Sequence, residues 1–255
     1  MACLSLIEAK ALQKALRGWV SLRTSVFAKN IRTIGGVDCA YATIKGRPRV
    51  FACAVVLSFP MLEFLEGAFH AEPVTFPYIP GYLSFRELPS MLGALTKLKI
   101  VPDVLFVSGQ GVAHPRGLGI ASHLGVVAGL ATIGIAKKPL FGLFQAPSLE
   151  AGSVSALTHP DDGSVIGFVV RAKTNVKPLY VSPGHRMDAE TAVSIALQCV
   201  QKTKLPVPLH LADRLADRLK KAFQRAARPD SVECLEPNPV EYVLAKNPWL
   251  NLLDP

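Results

Sequence analysis

An α/β fold, with a mixed central sheet flanked by helices, is the architecture this sequence predicts, and three observations predict it. Three β-rich runs, residues 33–43, 49–59 and 62–70, are separated only by the short breaks 45–48 and 60–61, the pattern of an antiparallel meander. Apolar strands at 104–107 and 132–136 then alternate with helical segments. Half of the 255 residues are hydrophobic, which supplies a full core and argues against disorder.

The elements follow in order. Leu6, Ala9, Leu12, Leu16 and Val20 recur at helical spacing and predict an amphipathic first helix. After the meander, the prolines of 77–80 make a stiff, extended loop. A helix over 83–98 has Ser84 as a candidate cap, with Glu87 three residues later in capping-box spacing. The strand 104–107, a helix over 118–130 and the strand 132–136 come next. Residues 165–171 and 178–182 read as a strand pair. Helices over 188–202, capped by Asp188, and 211–227 close the series. The apolar stretch 117–136 is long enough to span a membrane. Ser122, His123 and the glycine at 129 divide it instead into a buried helix and a buried strand, so no membrane span is expected. Residues 1–228 are expected to form one domain and 229–255 a proline-spotted tail without an assigned role. Three meander strands, a helix, a strand, a helix and a further strand is the order of a ribonuclease-H-like core.

Lys and Arg number 28 against 19 Asp and Glu, a net charge of +9 that favours an anionic partner, nucleic acid before membrane. The five cysteines are scattered, with no zinc-ligand spacing, and fit reduced thiols in the cytoplasm rather than a disulfide framework. No secretory apolar segment opens the chain.

The most informative stretch follows the strand at 104–107: Ser108-Gly109-Gln110-Gly111, then His114-Pro115-Arg116. A glycine turn between strand and helix lets backbone approach a ligand closely, and a cation beside it makes a phosphate site. In a ribonuclease-H-like core, carboxylates for a two-metal phosphodiester site come from the first strand, the first core helix and the fourth strand. Here those places hold Asp38, Glu87 and Ser108. An acid inside an apolar strand is costly to bury unless it meets a cation.

With these residues in view, the chain resembles the endonuclease V family of repair nucleases, which act on deaminated adenine (inosine) in nucleic acid. The resemblance rests on Gly36-Val37-Asp38, on the block from Phe76 through Pro77-Tyr78-Ile79-Pro80-Gly81 to Arg86-Glu87, and on Gly109-Gln110-Gly111 through Arg116. It continues in 119–125, in 132–137 and in Val181-Ser182-Pro183-Gly184-His185-Arg186. It implies cleavage of a phosphodiester on the 3′ side of the lesion by a monomer that uses Mg2+ or Mn2+ on DNA or RNA containing inosine. It assigns the cation to Asp38 and Glu87, neutralisation of the scissile phosphate to Lys137, a place beside phosphate and base to His114, and support of the site to His185. Tyr78, with Pro77, Ile79 and Pro80, resembles a strand-separating wedge. Gly81, Leu83, Gly109, Gly111, Ile120 and Leu140 would line a pocket for the extruded base, and Arg116 would contact nucleic acid.

Ser108 departs from the family, which has a metal-binding aspartate at this place. Serine is neutral and a poor ligand for a hard cation. Two functions therefore stand side by side: an endonuclease slowed by Ser108, and an inactive protein that binds inosine-containing nucleic acid. A related nuclease with another substrate or metal is a third. Each residue also has a plainer reading. Asp38 would pair with a buried cation, Glu87 would cap its helix, and His114 and His185 would fill core positions. Lys137 would be a solvated strand end and Tyr78 loop packing. The cations after Asp213 would be one solvated helix face.

Overall fold

The computed structural model describes residues 4–25 and 30–226; the tail expected at 229–255 lies outside the described residues. The chain runs α1 (Leu6–Arg17), β1 (Thr33–Ile44), β2 (Arg47–Ser58), β3 (Phe64–Pro73), α2 (Leu83–Leu95), β4 (Val104–Ser108), α3 (Ile120–Ala128) and β5 (Thr132–Ala136). It continues with β6 (Leu143–Phe144), β7 (Val154–Thr158), β8 (Val165–Val170), β9 (Leu179–His185), α4 (Ala189–Gln198) and α5 (Val207–Ala226). All nine strands join one mixed sheet in the order β3-β2-β1-β4-β5-β9-β8-β7-β6. The meander is antiparallel, while β4 pairs parallel with both β1 and β5.

Strand alternation distributes the core over the two faces of the sheet. Ile34, Cys53, Val55, Leu57 and Phe106 pack with residues of α4 and α5 on one face. Val37, Ala52, Ala54, Leu105 and Val107 pack with α2 and α3 on the other. Gly36 fixes how α5 docks: a Cβ there would stand 2.3 Å from the Pro208 carbonyl oxygen. The parallel pairing of β1 with β4 stops at Val37↔Val107. From Asp38 onward that edge of β1 is free of β4.

Three expectations need correction. Ser84 does not cap α2; Tyr82 is the N-cap without a side-chain bond, and Ser84 is buried inside the helix against His123 Nδ1 at 3.0 Å. Glu87 is therefore free of capping work. Strands β6 and β7 were not expected, because their residues are largely exposed and carry no apolar alternation. Finally, β9 runs on through Pro183 to His185, where a register shift between Thr132 and Ile133 accommodates the residue without an N–H. Among the described residues, no helix is long and apolar enough to cross a membrane.

Candidate active site

Asp38, Ser108 and Lys137 meet where the parallel strands end. The Asp38 carboxylate is buried, and its Oδ1 accepts from Cys39 N at 2.7 Å. The Ser108 hydroxyl lies near enough to favour its charged form. Burial nevertheless pushes Asp38 up to about 7, helped by the nearby Asp213 carboxylate; the Cys39 N–H, the Ser108 hydroxyl and the Lys137 ammonium act in the opposite direction. Glu87, from α2, is as deeply buried and is likewise pushed up to about 7 by burial and by Asp38, while the Tyr41 hydroxyl, donating to Oε1 at 2.8 Å, and Arg86 hold it down. Two desolvated acids, one of them raising the other, form a donor set that asks for a cation.

Lys137, half-exposed just past β5, lies 3.4 Å from Asp213 Oδ1. Asp213 thus belongs to the site, although sequence reasoning placed it on a solvated face of the last helix. A signal was present: Leu209, Asp213 and Ala216 follow the i, i+4, i+7 spacing of the buried stripe, and Leu209 and Ala216 are buried. An acid inside that stripe is out of place on a purely solvated face. Tyr41 and Gln13 were also missed, and nothing in local pattern marks either of them.

A cavity of about 310 Å³, at the small end of ligand pockets, is lined by the first residues of α2 and the loop after β4. Gly81, Leu83, Gly109, Ile120 and Leu140 line it, joined by Tyr78, Ile79 and Pro80 of the proline loop. Gly111 does not. A Cβ there would lie 2.0 Å from the Pro183 carbonyl oxygen, so this glycine serves strand packing. Pro77 is not among the lining residues either. Pro80 and Gly81 occupy the centre of a turn closed by Tyr82 N to Ile79 O at 2.9 Å, with Gly81 at φ +80°, the arrangement of a type II turn. Tyr78 stands 69% exposed at the cavity's edge, available to a partner rather than buried as packing.

Both histidines are engaged by backbone groups. His114 lines the cavity, with Nδ1 accepting from Arg116 N at 3.1 Å and Nε2 donating to the Gly81 carbonyl at 3.0 Å. Burial lowers its pKa to about 4, so it is neutral and both ring nitrogens are committed. That engagement gives it a holding role in the cavity wall. His185 pairs with Thr132 at the start of β5, whereas Lys137 follows the strand's other end. Four residues of strand, roughly 13 Å, separate those ends. His185 Nδ1 accepts from Ser21 N at 3.2 Å, a structural engagement remote from Asp38. Arg116 likewise turns its guanidinium inward, onto Gly81 and Gln13.

The endonuclease V family model matches residues 14–214. The chain belongs to the endonuclease V family. Endonuclease V of Rippkaea orientalis is 45% identical over 212 residues, 83% of this chain and 90% of its own length. That of Kosmotoga olearia is 41% identical over 217 residues, 85% of this chain and 93% of its own. Among solved structures, endonuclease V from Streptomyces avermitilis superposes with a TM-score of 0.78 at 40% identity, covering 86% of this chain and 94% of that one. Ciona intestinalis endonuclease V, solved with a 24mer DNA containing an inosine followed by a ribo-adenosine, gives 0.74 at 27% identity over 85% and 98% of the two chains.

Within this endonuclease V fold the donor set can be tested against a divalent cation. Among the described residues no group of three or more His, Cys, Asp or Glu is arranged to hold a metal ion. Magnesium, however, is commonly held by one or two carboxylates, with water and substrate phosphate completing its shell. Asp38 and Glu87 meet that lower requirement, and burial, offset only in part by Lys137 and Arg86, raises the pKa of both. The residues fit, with one anionic ligand fewer than a three-acid site.

Proposed function

We propose that this chain is an endonuclease that hydrolyses the phosphodiester on the 3′ side of inosine in DNA or RNA, using Mg2+ or Mn2+ held by Asp38 and Glu87. One observation carries this reading: α2, which holds Glu87, and the end of β4, which lies beside Asp38 of β1, also line the base-sized cavity. Along α2, Leu83 and Ser84 line the cavity, and Glu87 follows Ser84 by one helical turn. After β4, Gly109 and Gln110 line it, directly beyond Ser108 beside Asp38. A base seated there would direct the backbone on its 3′ side toward the acids.

The chain's residues then divide the work. Tyr78 and Ile79, on a loop stiffened by prolines, offer apolar surface in place of the stacking an extruded base leaves behind. The first residues of α2 and α3, Leu83 and Ile120, face the cavity with no side-chain cap on either helix. Uncapped helix N-termini favour a ligand that presents acceptors, and inosine presents an oxo group where adenosine has an amine. Tyr41 orients the Glu87 carboxylate. The Lys137 ammonium offsets charge growing on the scissile phosphate. A divalent cation, when bound, supplies polarisation of the phosphate and a more acidic water.

The test incubates the full chain with end-labelled inosine oligonucleotides and Mg2+ or Mn2+. Cleavage at one position 3′ of the inosine, absent with EDTA, is the expected result; tight retention with no cutting under either metal overturns it. In Tyr78→Ala the preference for inosine-containing duplex over unmodified duplex is expected to fall about tenfold, since one lost stacking contact is worth about 1–3 kcal/mol. An unchanged preference removes Tyr78 from the wedge.

A further inference from the structure

The wedge loop is fastened from behind by a residue no sequence pattern marks. Gln13 sits on α1, one residue before the stretch matched by the family model, and is fully buried on a helix that otherwise buries only Ala9. Its Nε2 donates to the Gly81 carbonyl at 2.9 Å and approaches the Leu118 carbonyl at 3.5 Å. Its Oε1 accepts from Arg116 Nε at 2.5 Å. Arg116 Nη2 donates to the same Gly81 carbonyl at 2.6 Å, and its guanidinium lies 4.3 Å from the centre of the Tyr82 ring. His114 Nε2 is the third donor.

Three side chains, from α1 and from the loop after β4, therefore converge on one backbone oxygen. That oxygen belongs to Gly81, the positive-φ residue ending the 77–81 loop. Glycine is where such a loop would hinge most freely. The network holds the loop at that point.

We propose that Gln13 and Arg116 are positioning residues that stiffen the wedge for opening base-paired nucleic acid, an inference that rests on the function proposed above. A slack loop must be ordered before it displaces a base, and that ordering subtracts from the energy available for extrusion. Inosine in a single strand needs no separation from a partner. The network should matter for duplex and be nearly indifferent for single strands. A role confined to overall stability would affect both alike.

The experiment compares wild type, Gln13→Leu and Arg116→Lys on the same inosine oligonucleotide, single-stranded and annealed, at fixed salt. Affinity and cleavage are both read. Lysine keeps the charge at 116, but its single ammonium cannot hold Gln13 and Gly81 while stacking on Tyr82. It tests the network independently should Gln13→Leu fail to fold. Affinity and rate on duplex are expected to fall about tenfold, and on single strand less than about threefold, the scale of lost preorganisation. Equal losses on the two substrates, or none on either, overturn the inference. If wild type neither holds nor cuts inosine in either form, the function itself fails and this inference with it.

Discussion

Asp38→Asn is expected to abolish cleavage and, in the absence of metal, to make the protein more stable at pH 8. The two effects have one cause. Asp38 is buried and pushed up to about 7 from an ordinary 3.8, and Glu87 to about 7 from 4.5. An acid with a raised folded-state pKa contributes nothing unfavourable below about pH 4, where it is protonated whether folded or not. As pH rises toward and through 7 the folded protein must ionise it in a desolvated place, and stability is lost. Without metal, the wild-type Tm should therefore fall between about pH 4 and pH 8. Asparagine removes one of the two charges and keeps an oxygen for the Cys39 N–H. A recovery of about 3 kcal/mol at pH 8, or roughly 5–10 °C, is the scale expected. Cleavage should drop by about 10³-fold or more, the leverage of a group that holds the metal. Calorimetric melts in EDTA at pH 5 and pH 8, beside cleavage assays in Mg2+, read both. A variant that still cuts, or that melts no higher than wild type at pH 8, removes Asp38 from the cation.

Much of this site was legible because it is made by short-range pattern. Asp38 announces itself as an acid inside an apolar strand, and the glycine turn after Ser108 as a place for close approach. The core strands and helices are legible for the same reason, since their alternation and 3.6-residue periodicity follow directly from facing a core. What the sequence concealed depends on contacts between distant segments. Asp213 reaches Asp38 only because α5 folds back across β1 on the bare surface of Gly36. Gln13 meets Gly81 across 68 positions of chain. His185 was placed near the acids by its motif, yet the antiparallel pairing of β5 with β9 carries it to the opposite end of the strand from Lys137. A motif gives residue types in order; pairing direction decides which end of the sheet they occupy. Strands β6 and β7 stayed hidden for another reason. They lie at the end of the sheet, where Leu157 is the one buried side chain the two strands contribute.

Ser108 shows how a fold can keep a site's frame while changing its charge. Its position at the end of β4, beside Asp38, is where family resemblance places a third acid. Serine spares the metal-free protein a third desolvated carboxylate, an addition that would push Asp38 and Glu87 up further. The same saving leaves a bound cation with less anionic charge to hold it. Ser108→Asp is accordingly expected to act with opposite signs in two conditions. In EDTA at pH 8 its Tm should fall below that of wild type. In Mg2+ the gain in Tm should exceed the wild-type gain, because tighter binding to the folded state adds stability by mass action. Cleavage at inosine should rise about 10²-fold or more, and the Mg2+ concentration for half-maximal rate should drop. An unchanged rate with an unchanged Mg2+ requirement would mean that Asp38 and Glu87 already hold the cation as well as the reaction needs, with the serine hydroxyl sufficient beside them.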